Sequence, residues 1–69
     1  MSLETTKVLE MLHGKLVERM DYLTDWVGKG LASDYAEYKR VCGEIKGMTE
    51  ACRSINEVYI ETVEGDENE

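Results

Sequence analysis

The sequence lacks most of what a catalyst, a nucleic-acid binder or a membrane anchor would need. Basic residues are few: eight Lys and Arg against fifteen Asp and Glu leave a formal net charge of −7 over 69 residues. Phosphate contacts need clustered Lys and Arg, and no cluster is present, so direct nucleic-acid binding is not expected. No apolar run reaches the roughly 18 residues of a membrane span. The N-terminus shows no basic stretch followed by an apolar segment and a small-residue cleavage site, so no signal peptide is expected. The expectation is a soluble intracellular chain with no membrane partner.

Cysteine and histidine are equally sparse. Cys42 and Cys52 lie ten residues apart on one predicted helix, which is about 15 Å along its axis. A disulfide needs Cα atoms within about 7 Å. Reduced thiols are therefore the default, with an intermolecular bridge as the alternative. His13 is the single histidine, at the margin of an apolar stripe, where an antiparallel neighbour would bring it near Cys52. One His and one Cys do not make a zinc site, and no oxyanion-hole loop supports a nucleophile. A phosphate-binding glycine loop and paired catalytic carboxylates are missing too. The chain reads as no enzyme, with no catalytic, cofactor-binding or metal-binding residues and no cofactor.

What the sequence does have is helical periodicity. Tyr38, Val41, Ile45, Met48, Cys52, Ile55, Tyr59 and Thr62 recur at alternating intervals of three and four, a heptad seam on one long helix. An earlier seam runs Leu9, Leu12, Leu16, Met20, Leu23, Val27, confined to about 80° of arc on a helical projection. Val8 and Trp26 flank it, and Glu10, Glu18, Asp21 and Asp25 form the solvated side. Between the seams, Val27-Gly28-Lys29-Gly30 has the glycines that helix C-caps favour. Asp34-Tyr35-Ala36-Glu37 has the form of a capping box. The pattern predicts helix one over about 3–27, a turn at 28–34 and helix two over about 35–63. Residues 64–69 form an acidic tail expected to be disordered.

Two amphipathic helices joined by a short connection become antiparallel neighbours. The fold class is therefore all-α, an antiparallel two-helix hairpin over 1–63. Chains below roughly 70–80 residues usually need a staple, and this one is expected to assemble into a multi-helix bundle. Ala36, Gly43, Gly47 and Ser54 share a line nearly opposite the second seam. That line is either a second packing face, or a set of tolerated glycines, or room for a bulky side chain such as Trp26. Four Tyr and one Trp, with no Phe, are aromatics with a polar handle, common at interfaces and at seam edges alike. Tyr35 and Trp26 are placed to cluster near the turn. Lys46 with Glu50, and Arg53 with Glu57, are spaced for ion pairs.

The run Asp34-Tyr35-Ala36-Glu37-Tyr38-Lys39-Arg40, followed by Cys42-Gly43-Glu44-Ile45-Lys46-Gly47-Met48, resembles the core of small helical-hairpin proteins encoded by tailed bacteriophages among their head and virion assembly genes. Asp34, Tyr35, Tyr38, Gly43, Ile45 and Gly47 carry the match, while Met48 stands where such proteins commonly have Leu. The resemblance implies a structural or assembly protein of many copies, in the virion or host cytoplasm, acting as a homo-oligomer or docked on a larger virion protein. The charge supports an alternative: a small acidic regulatory protein that binds and inhibits a host or phage protein.

Overall fold

The computed structural model describes the backbone of residues 3–67 and the side chains of residues 3–62. Two helices make up the fold, α1 over Leu3–Gly28 and α2 over Tyr35–Glu67, and no strand is present among the described residues. The chain is an all-α helical hairpin. No helix among the described residues is long and apolar enough to cross a membrane.

The turn is built from local chemistry at both ends. Past α1, Gly30 takes a φ of 74°, the left-handed conformation in which a Cβ would be strained. Around it, the Leu31 amide donates to the Trp26 carbonyl at 3.3 Å and the Gly30 amide to the Val27 carbonyl at 3.0 Å. That six-to-one and five-to-two pair is a Schellman closure, which satisfies carbonyls that the helix leaves open. Only the second of the two glycines is used this way, since Gly28 is still helical.

At the start of α2, Asp34 Oδ1 accepts from the Glu37 amide at 2.8 Å. The Glu37 carboxylate in turn accepts from the Ser33 hydroxyl at 2.8 Å. The box thus closes through a neighbouring side chain. Asp34 also accepts from the Tyr38 amide through its own carbonyl at 3.1 Å, the first rung of the helix.

α2 runs to Glu67, four residues beyond the expected end at Val63. The expected disordered tail is helical over those four residues, and its last two lie outside the described ones. No proline interrupts the segment, and one glycine costs only about 1 kcal/mol, so the backbone ladder continues where charge alone suggested fraying.

The helices pack antiparallel, with Met20 beside Thr49 and Leu9 and His13 beside Ile55 and Tyr59. The result is a rod of 53 × 16 × 12 Å. Its core is thin. Leu23, Val41 and Cys52 are its buried apolar side chains among the described residues.

Candidate helix-packing interface

A seam repeating every seven residues drifts by about 20° per heptad around a straight helix, so the covered stripe winds slowly around each helix. On α2 the heptad positions follow that stripe. Val41 is 2% exposed and Cys52 is buried, while Ile45, Met48, Ile55, Tyr59 and Thr62 are half-buried. Tyr38 is 42% exposed, because it lies one turn from the helix start, where the chain is already turning away.

On α1, Leu23 is buried, and Leu9, Leu16, Met20 and Val27 are half-buried. Leu12 is not covered: it is 48% exposed. The strict heptad frame through the buried positions reads Thr6, Leu9, His13, Leu16, Met20, Leu23, Val27, and it contains His13 in place of Leu12. A leucine one position short of the frame is carried onto the flank by the drift. Both residues at that level are exposed, the leucine on one flank and the imidazole at the rim of a groove on the other.

His13 opens onto a groove of about 340 Å³ lined by Leu9, Glu10, Ile55, Asn56 and Tyr59. This places it one turn beyond the expected neighbourhood of Cys52, which the antiparallel register sets level with Leu16. Among the described residues no group of three or more His, Cys, Asp or Glu is arranged to hold a metal ion. Cys42 is half-buried and Cys52 buried, and both are free thiols.

Ala36, Gly43, Gly47 and Ser54 are all exposed. A Cβ built on Gly43 or Gly47 would meet nothing within 4 Å, so no bulky side chain of the hairpin fills the space beside them. Trp26 sits elsewhere, half-buried in a shallow cup with Arg19, Tyr22, Arg40 and Glu44. There the Arg19 guanidinium lies 5.4 Å from the centre of the Tyr22 ring, a cation–π geometry. Arg40 pairs with Glu44 at 2.7 Å.

The expected Trp26–Tyr35 cluster gives way to two separate ones. Tyr35 stacks on Tyr38 instead, with ring centroids 6.2 Å apart and planes inclined by 25°. The Cys42 side chain, through a hydrogen bond and then its negative charge, holds the Tyr38 hydroxyl above the ordinary tyrosine pKa. Lys29–Asp25 at 2.8 Å joins Arg40–Glu44 as an ion pair one turn apart. Neither Lys46–Glu50 nor Arg53–Glu57 is formed among the described residues.

Trp26 is half-buried at the stripe edge where it was expected, while among the described residues spacing alone missed the apolar residues Val17, Cys42 and Ala51, each half-buried. They flank the two seams, and their signal was available only as an apolar residue beside a heptad position. No protein-family model, curated protein or solved structure matches this chain.

Proposed function

We propose that this chain is a non-enzymatic helix-packing module of a phage particle, which associates with copies of itself or docks on a larger virion protein. The observation that carries the reading is the imbalance of apolar burial. Among the described residues three apolar side chains are buried, while ten large ones are exposed, from Leu3 and Val8 to Val58 and Ile60. Val8, Leu12 and Tyr22 of these share one side of α1; clustered exposed apolar surface marks interaction sites, and further helices are the natural cover for a two-helix rod. The particle setting is supported by the resemblance of residues 34–48 to phage hairpin proteins.

The test is the protein composition of purified particles of the phage that encodes the chain. Mass spectrometry is expected to find it in many copies per particle, retained after washing in high salt. Its absence from particles would remove the structural role. The acidic reading is favoured by Glu10, Glu18, Asp21, Asp25, Glu50 and Glu57, all exposed on the outer sides of the helices. It predicts instead a salt-sensitive complex with one soluble protein and no incorporation into particles.

A further inference from the structure

Beside each seam runs a second line with heptad spacing. On α1 it is Val8, Leu12, Lys15, Arg19, Tyr22 and Trp26; on α2 it is Arg40, Glu44, Gly47, Ala51, Ser54 and Val58. The cup shared by Arg19, Tyr22 and Trp26 with Arg40 and Glu44 puts both lines on the same side of the hairpin. The α1 line is bulky throughout, with Val8 61%, Leu12 48% and Tyr22 58% exposed. The α2 line is small through its middle, and at Gly47 the space beside the helix is open.

We propose that this face pairs with the same face of a second copy, α1 of each chain lying over α2 of the other, to close an all-antiparallel four-helix bundle. The proposal rests on the packing role argued above and names its surface and its partner. Three properties of the face select a second copy.

The first is shape. A two-fold axis parallel to the helices keeps the levels of the hairpin. Tyr22 then falls level with Gly47 of the second copy, and Leu12 level with its step from Ser54 to Val58. Bulky side chains meet gaps twice over, as knobs meet holes.

The second is area. The two helices run side by side over the 26 residues of α1, about 39 Å. A face of that length and the 16 Å width of the rod is of the order of the roughly 800 Å² per partner of a standard stable interface.

The third is charge. Arg40 is already paired with Glu44, which leaves Lys15 and Arg19 as the cations of this face. Arg19 falls level with the rim carboxylate Glu50 of the second copy, and Lys15 falls between the levels of its Glu50 and Glu57, about one turn from each. Every neighbouring helix pair is antiparallel, so the helix dipoles also oppose favourably.

Sedimentation equilibrium of the full chain over a concentration series tests the proposal. The expected mass is twice the 7.9 kDa of the chain. Gly47→Leu and Gly14→Leu form the matched pair of variants, because a Cβ at either glycine meets nothing within the hairpin. Gly47→Leu is expected to weaken association at least tenfold with its helical circular dichroism intact. Gly14→Leu, on the other side of α1, is expected to leave association unchanged. Carbodiimide cross-linking of mixed isotope-labelled and unlabelled chains is expected to join Lys15 of one copy to Glu50 or Glu57 of the other.

A monomer at every concentration overturns the proposal, as does equal weakening by both variants, or a Gly47→Leu chain that dimerises as the wild type does. A monomer found in quantity in purified particles would overturn the second copy while leaving the particle role standing. A dimer absent from particles would do the reverse.

Discussion

Thr49 Oγ1 lies 3.4 Å from the Met20 sulfur across the hairpin and 2.9 Å from the Ile45 carbonyl oxygen one turn back in its own helix. A hydroxyl has one proton, and the carbonyl is the stronger acceptor, so the sulfur receives the weaker share. The contact ties the two helices near mid-length. Met20→Ala is expected to cost about 1–2 kcal/mol, below the full range for a buried methionine because the site is half-covered. Thr49→Val is expected to change stability by less than about 1 kcal/mol. Urea unfolding midpoints at a concentration where the chain is monomeric check both.

Leu23 and Leu12 are both leucines of the α1 stripe, with 5% and 48% exposure. Leu23→Ala is expected to cost about 2–4 kcal/mol at any concentration. Leu12→Ala is expected to cost less than about 0.5 kcal/mol in dilute monomer. Its effect should appear only as concentration rises and the flank is covered. Unfolding curves at two concentrations separate these outcomes.

His13 occupies a heptad position that faces the groove beside Leu9, Ile55 and Tyr59. His13→Leu is expected to add apolar burial there and to stabilise the chain by about 0.5–1.5 kcal/mol. Thermal unfolding at neutral pH reads the change, and a lowered midpoint would show that the imidazole is held by something the leucine cannot replace.

Gly30 and Gly14 should respond to alanine in opposite directions. At Gly30 the φ of 74° strains any Cβ, and Gly30→Ala is expected to cost about 1 kcal/mol or more. At Gly14 the space is open, and Gly14→Ala is expected to gain about 0.5–1 kcal/mol of helix propensity. Paired denaturation curves give both signs.

Tyr38 holds its proton above the ordinary tyrosine pKa because of the Cys42 hydrogen bond first and the Cys42 charge second. A raised pKa on an acid means that the folded chain binds the proton more tightly than the unfolded one. Its contribution to stability is therefore present below the ordinary tyrosine pKa and is lost as pH rises through the raised value. Cys42→Ala is expected to shift the Tyr38 component of the ultraviolet phenolate titration downward. A titration curve unchanged by the substitution would show that the thiol is not the cause.

Local chemistry alone determined the hairpin. The cap at Asp34, the left-handed glycine at Gly30 and the heptad intervals from Val41 to Tyr59 act between residues a few positions apart, so they are legible in any sequence that contains them. What only the tertiary structure decided is which flank of each stripe is covered. Leu12 and His13 are neighbours at the edge of the α1 stripe, and both are exposed, but the winding of one helix about the other puts the imidazole at the rim of the groove beside Ile55 and Tyr59 and the leucine on the other flank. The same winding puts Trp26 in a cup with Arg19 and Tyr22 and leaves Gly47 without a neighbour. Helix periodicity is a property of one helix, whereas coverage is a property of two, because it depends on the register and drift with which their surfaces meet.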